Sequence, residues 1–252
     1  MTRTILITGA SSGFGEATAR RFAAEGWRVV ATARRRERLA RLTEELGGPE
    51  HVHAVELDMR DREAVMERLG ALPAPFDEPD VLVNNAGIGR GLEPAWESDV
   101  DEWEAMVDTN VKGLMYATRA VLPGMVERNR GHVVDLGSIA GRWPYPGGNV
   151  YGATKAFVAQ FSGNLRADLL GTRVRVTNLE PGLCETEFSI QRFRGDAERA
   201  ASLYRGNDPI VADDLAEIIH WVVHLPPHVN INSMEIMPVS QSWGALPVKP
   251  VR

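Results

Sequence analysis

The segment Thr8-Gly9-Ala10-Ser11-Ser12-Gly13-Phe14-Gly15 constrains this chain more than any other. It follows an apolar strand candidate, Thr4–Thr8, and opens a helix-period stretch, Phe14–Glu25. A strand that turns within a few residues into a helix belongs to βαβ units, whose next strand returns parallel to the first. The glycines fall at 9, 13 and 15, a G-x-x-x-G-x-G spacing. Gly9 permits the tight turn, Gly13 lets backbone approach a bound pyrophosphate, and Gly15 lets the helix pack closely on the strand. The free N–H groups of the helix N-terminus favour an anion, and Ser11, Ser12 and the Phe14 main chain extend the donor set. A glycine pattern alone is weak. Its position between a strand and a helix makes it a phosphate cradle rather than a plain turn.

The same alternation continues along the chain. Strand candidates are Thr4–Thr8, Arg28–Ala33, His51–Leu57, Val81–Asn84, His132–Leu136, Val174–Leu179 and Met234–Met237. Several are unbroken Val/Ile/Leu runs, as expected of parallel strands covered on both faces. Helix-period stretches lie between them, including Arg36–Leu46, Arg62–Leu69, Asp101–Glu127, Ala153–Leu170 and Asp213–His224. The pattern predicts an α/β fold: a doubly wound, seven-stranded parallel sheet of the Rossmann type, in a single domain over residues 1–252. The chain has 252 residues and is 44% hydrophobic, enough for one sizeable core. Two segments are irregular, Gly137–Asn149 and Glu180–Pro209. Both follow strands and so should border the ligand crevice, with residues of about 182–210 forming a substrate-side loop.

Composition excludes several functions. A net charge of -6 argues against a nucleic-acid partner. No run reaches the roughly 18 apolar residues of a membrane span. The N-terminus reads as a strand rather than a signal peptide, which predicts a cytoplasmic protein. Cys184 is the single cysteine, so no intrachain disulfide forms, in keeping with a reducing compartment.

The second strand candidate runs into Arg34-Arg35-Arg36. A site for NAD would place an acid there to accept from the ribose hydroxyls; guanidinium forks suit a 2′-phosphate. Arg34 and Arg35 are therefore assigned to NADP (NADPH), while Arg36, Arg38 and Arg41 read as the solvated face of the next helix. Asp58, in Leu57-Asp58-Met59, is placed to accept from the adenine amino group, with Met59 beside it. Asn85-Ala86-Gly87 either lines the ribose or is a simple turn.

Tyr151 and Lys155 are four residues apart at the start of a helical stretch and share one face. An ammonium near a phenol favours the phenolate and brings its pKa toward the operating pH. Lys155 also reaches a nicotinamide ribose. Ser138, after the fifth strand candidate, can donate with Tyr151 to a developing oxyanion. Asn110 sits mid-helix, where it is a poor helix former, and is placed to hold a water linking Lys155 to solvent.

These residues resemble the short-chain dehydrogenases/reductases. Thr8–Gly15, Asn84-Asn85-Ala86-Gly87, Asn110, Ser138, Tyr151–Lys155 and Pro181-Gly182 match in order and spacing. The resemblance implies an Asn110, Ser138, Tyr151, Lys155 catalytic tetrad, with Pro181, Gly182 and Thr186 against the nicotinamide. A narrower likeness rests on Arg119–Asn129, Trp143-Pro144-Tyr145, Gly147–Tyr151, Phe188, Arg192–Asp196 and His228–Asn232. It is to the NADP-dependent 3-hydroxy acid dehydrogenases, which act on serine, allo-threonine and related acids and reduce malonic semialdehyde. It implies a small hydroxy acid substrate and a homotetramer. The segment Gly182–Glu187 is shorter and more acidic than in that subgroup. Other carbonyl substrates, 3-ketoacyl or steroid, and a non-catalytic NADP sensor are the competing readings. The polar stretch Gln191–Asp196 and the intact Ser138/Tyr151/Lys155 set speak against them.

A hydroxy acid needs a counter-charge, and Arg192 and Arg194 are candidates, with Arg142 a weaker one; each is also readable as a solvated loop arginine. No metal is expected: His220 and His224 stand at i,i+4 but lack the glutamate of an H-E-x-x-H frame and read as structural. Cys184 reads as a small packing residue. Trp143, Tyr145 and Trp243 either wall the pocket or fill the core.

Overall fold

The structure, a computed structural model, describes residues 2–243 and 248. The strands are β1 (Thr4–Thr8), β2 (Arg28–Ala33), β3 (Val52–Glu56), β4 (Val81–Asn84), β5 (Gly131–Leu136), β6 (Val174–Pro181) and β7 (Ser233–Ile236). The helices are α1 (Gly13–Ala23), α2 (Arg36–Glu45), α3 (Arg62–Gly70), α4 (Val100–Val107), α5 (Leu114–Glu127), α6 (Asn149–Asp168), α7 (Glu187–Arg192), α8 (Ala197–Ser202) and α9 (Ala212–His224). The strands pair in the order β3-β2-β1-β4-β5-β6-β7, every pair parallel. The expected doubly wound sheet is present.

Alternation along each strand builds two cores. Ile5 and Ile7 of β1 face a cluster with Phe22, Leu39, Leu42, Leu215 and Ile219, from α1, α2 and α9. Leu6 between them faces the opposite cluster, with Val65, Leu69, Val121 and Leu165 from α3, α5 and α6. Strands buried on both faces have no polar side to show, which is why they read as continuous apolar runs. Asp61 and Asp99 cap α3 and α4 by accepting from Ala64 N and Asp101 N.

The expected helix Asp101–Glu127 is broken. A π turn, Asp108–Gly113, separates α4 from α5 and swings Asn110 inward to 2% exposure. The wide turn is held because the Asn110 amide satisfies main-chain groups of another segment there. The Glu180–Pro209 segment is less irregular than expected. β6 extends through Pro181, and α7 and α8 follow. Among the described residues no helix is long and apolar enough to cross a membrane.

Candidate active site

A cleft of about 790 Å³ opens beyond the carboxyl ends of β1, β2, β4, β5 and β6. The strand order reverses between β1 and β4, and parallel sheets leave a crevice at such a point.

The glycine turn forms its floor. Gly9 and Gly13 have φ of 72° and 55°, a left-handed conformation open to glycine. A Cβ on Gly15 would lie 2.5 Å from the Gly9 carbonyl oxygen. Ser12 precedes α1 without capping it by a side-chain hydrogen bond, so the first-turn N–H groups keep their capacity for an anion. Asn85 braces the turn: its Nδ2 donates to the Thr8 and Gly9 carbonyls at 2.8 and 3.1 Å. Thr8 Oγ1 accepts from Asn85 N and Ala86 N at 3.1 and 3.0 Å. Asn85-Ala86-Gly87 is thus a built brace along the cleft wall, not a free turn. The pocket these residues make fits a dinucleotide, because the tight packing at Gly15 sets the helix N-terminus, and the bare backbone at Gly13 with the donors at Ser11 and Ser12 is what a pyrophosphate requires.

Beyond the end of β2, Arg35 donates to Ser12 Oγ at 2.7 Å and Ser11 Oγ at 3.0 Å. Its Nη1 lies 3.0 Å from Glu187 Oε2. Arg38 pairs with the same carboxylate at 2.6 Å. Arg38 is therefore part of this cluster, contrary to its reading as a solvated helix residue; α7 supplies an acid that no local pattern in α2 reveals. Burial raises the Glu187 pKa, but Arg38 and Arg35 outweigh it and hold the carboxyl below its usual range. Arg34 lines the cleft rim. Asp58 and Met59 line it too, but the Asp58 carboxylate is held by Arg60, with Nη2 at 2.6 Å. An adenine contact at Asp58 would compete with that pair.

Ser138, Tyr151 and Lys155 converge on the cleft, each less than a tenth exposed. Ser138 Oγ accepts from Ala140 N at 3.1 Å, which fixes its rotamer at the start of a short 3-10 turn. Lys155 Nζ donates to the Leu136 carbonyl at 2.6 Å and lies 5.9 Å from the Tyr151 ring centre. Burial lowers the Lys155 pKa to about 8, opposed by Asp135. Burial pushes Tyr151 up to about 12; Tyr145 adds to the rise, while Arg192 and Ser138 lower it. The expectation that Lys155 draws the phenol down is therefore not met in this geometry. Its ammonium is tied to Leu136, and burial outweighs the neighbouring charges.

Asn110 distorts the helix as expected, and its side-chain amide is held by its neighbours. Its Oδ1 accepts from Ile88 N, and its Nδ2 donates to Ile88 O, all at 2.8 Å. The second Nδ2 proton goes to Thr154 Oγ1 at 3.0 Å. Both amide protons are engaged, and they pin the Gly87-Ile88 segment to α6, one residue before Lys155.

On the α7 side of the cleft, Arg192 donates to Tyr145 Oη at 2.7 Å and lies 5.0 Å over the Tyr151 ring. Phe188 packs 5.6 Å from the same ring, and Pro181, Gly182 and Thr186 close the wall. Arg194 and Arg142 are corrected. Arg194 pairs with Glu93 and Glu102, both at 2.8 Å, and clips the loop from outside the cleft. Arg142 pairs with buried Glu180 at 2.6 Å. Trp143 and Trp243 both donate to Glu235 and do not line the cleft; of the three aromatics considered, Tyr145 does. Arg90, unnoticed in the sequence, also lines it, held by the Gln191 carbonyl at 2.5 Å. No sequence signal marks it, because its place depends on a loop and α7 meeting across 101 residues. Cys184 is half-hidden in the wall, and burial pushes its thiol up to about 12, in line with a packing role.

Comparison with known proteins points to one family. The family model described as short chain dehydrogenase matches residues 3–197. An NADP-dependent 3-hydroxy acid dehydrogenase of Salmonella typhi is 58% identical over 97% of this chain and 98% of its own. A serine 3-dehydrogenase of Rhizobium radiobacter is 52% identical over 98% of both. The solved closed form of a serine dehydrogenase complexed with NADP+ superposes with a TM-score of 0.94 at 55% identity, covering 98% of this chain and all of the other.

Proposed function

The chain belongs to the short-chain dehydrogenase family, and from that premise we propose that it is an NADP(H)-dependent oxidoreductase interconverting a 3-hydroxy acid and its 3-oxo acid or semialdehyde. The observation that carries the substrate class is the Arg192 guanidinium, which stands over Tyr151 on the open side of the cleft. A carboxylate two carbons from the reacting carbon can pair with it while the hydroxyl reaches Tyr151 and Ser138.

Gly9, Ser11, Ser12, Gly13, Phe14 and Gly15 hold the pyrophosphate end, Arg35 with Arg34 and Arg38 the 2′-phosphate, and Asn85, Ala86, Gly87 and Lys155 the nicotinamide ribose. The bound dinucleotide supplies or accepts the hydride. Tyr151 gives the proton to the carbonyl oxygen in reduction and takes it from the hydroxyl in oxidation. Its raised pKa keeps it protonated at neutral pH, so it is set as a donor. Ser138, locked by Ala140 N, orients the oxygen and stabilises its developing charge. Asn110 is a positioning residue for the wall and α6. A homotetramer goes with this reading, supported by the half-exposed apolar residues Met115 and Val126 of α5, and so does a cytoplasmic location, supported by the lone thiol.

A panel of purified-protein assays tests it: NADPH consumption with malonic semialdehyde, and NADP+ reduction with serine, allo-threonine, 3-hydroxypropionate and the 3-hydroxypropionate methyl ester. The acids should be turned over and the ester much less well. Preference for the ester would remove the carboxylate from the reading. Tight NADPH binding with no turnover on any compound would make the chain a sensor.

A further inference from the structure

At the opposite end of α1 from the cleft, three side chains meet that the dehydrogenase chemistry does not use. We propose that Glu25, His220 and His224 form a site for a divalent transition metal of the Zn2+ kind, which ties the end of α1 to α9. His220 and His224 are one turn apart on α9, with ring centres 4.1 Å apart. Glu25, in the turn after α1, brings Oε1 to 2.8 Å from His220 Nε2 and Oε2 to 3.5 Å from His224 Nε2. One ligand atom from each residue lies within 4.8 Å of the others. Bonds of about 2.0–2.2 Å to a tetrahedral ion place ligand atoms roughly 3.3–3.5 Å apart, so small side-chain adjustments suffice.

Hydrogen bonding sets the nitrogens for this role. His224 Nδ1 lies 2.9 Å from the His220 carbonyl, which can only accept, so Nδ1 carries the proton. In the form that carries only this proton, the Nε2 lone pair points toward a carboxylate oxygen, a repulsive contact that a cation between them would reverse. A main-chain carbonyl on the far nitrogen is also the usual support of a metal-bound imidazole. His220 Nε2 is buried without a hydrogen-bond partner although Glu25 Oε1 is close, because the oxygen lies off the N–H line. Imidazole and carboxylate donors suit Zn2+ and its neighbours, with water in the remaining position.

Arg21 is the competitor. It donates to Glu25 Oε1 at 2.7 Å and approaches His220 Nδ1 at 3.3 Å. Metal entry requires Arg21 to turn toward Glu217, its other partner, and the His220 proton to move from Nε2 to Nδ1. The helix α1 has 11 residues and spans about 16 Å, so the site acts on stability, away from the cleft.

The test uses the full-length, metal-free protein. Zn2+ titration should show one tight equivalent, retained through gel filtration, and saturating Zn2+ should raise the thermal midpoint by roughly 5–10 °C. Co2+ should give the visible absorption bands of a tetrahedral ion. Glu25→Gln and the pair His220→Gln/His224→Phe should bind at least about tenfold more weakly; phenylalanine at 224 keeps the ring contacts with Phe22 and Trp27. Arg21→Ala should bind more tightly. Equal Zn2+ binding by the wild type and the double variant, or a wild-type Co2+ spectrum without those bands, overturns the proposal.

Discussion

The Arg192 guanidinium carbon lies 5.0 Å over the ring centre of Tyr151 and 5.6 Å over that of Tyr145, whose hydroxyl it also binds. One cation thus stands over both phenol rings, where the proposed function puts the proton donor and a substrate carboxylate. Arg192→Ala should raise KM for 3-hydroxypropionate about 10–100-fold, the value of a charged hydrogen bond, with little change for the methyl ester. Arg192 also lowers the Tyr151 pKa. Its loss should therefore move the alkaline rise of the oxidation rate to higher pH. Steady-state kinetics from pH 7 to 11 checks both; an unchanged KM for the acid would remove Arg192 from the substrate site.

Tyr151 is buried and protonated at neutral pH. Reduction should accordingly hold its rate through neutral pH and fail only in strong alkali, while oxidation climbs with pH as the phenolate forms. Tyr151→Phe should reduce kcat by at least about 10²–10⁴-fold, the range for general acid–base catalysis, and leave NADPH binding by fluorescence titration nearly intact. Near-normal turnover in that variant would end the mechanism.

Glu187 holds the two arginines that a 2′-phosphate would use. Glu187→Gln should bind NADP+ several-fold more tightly and with a steeper dependence on salt, since the arginines then meet the phosphate without a competing carboxylate. Arg35→Ala should weaken NADP+ by about 10–100-fold while NAD+ changes little. Calorimetry with both dinucleotides distinguishes these outcomes; equal losses for NADP+ and NAD+ would place Arg35 away from the 2′-phosphate.

Lys155 carries a folding cost. Its folded pKa is about 8 against an ordinary 10.5. The unfolded chain therefore binds more protons between these values, and stability gains from this group as pH rises from 8 to 10.5. Below pH 8 the full penalty applies. Lys155→Met should be inactive yet more stable than the wild type at pH 7, by roughly 1–3 kcal/mol after the lost Leu136 bond, with the gap closing by about pH 10.5. Urea unfolding of the dinucleotide-free protein at the two pH values measures it, and a gap that widens with pH would contradict the burial of a charged Lys155.

The sheet, the glycine turn and the convergence of Ser138, Tyr151 and Lys155 were legible in the residues themselves. Apolar runs, glycine positions and i,i+4 spacing are local properties, and local geometry follows from them with few alternatives. The sequence by itself therefore determined the parallel fold, the glycine turn and the cluster of Ser138, Tyr151 and Lys155. Tertiary structure alone decided what each polar side chain meets. It brought Glu187 to Arg35 and Arg38, Glu93 and Glu102 to Arg194, Glu180 to Arg142, and Ile88 to Asn110. Those partners are many residues away in the chain, and nothing in the pattern around an arginine states which carboxylate will reach it. The pKa of Tyr151 was decided in the same way: spacing brought Lys155 one turn away, but burial and the position of Arg192, both products of packing, set how firmly the phenol holds its proton.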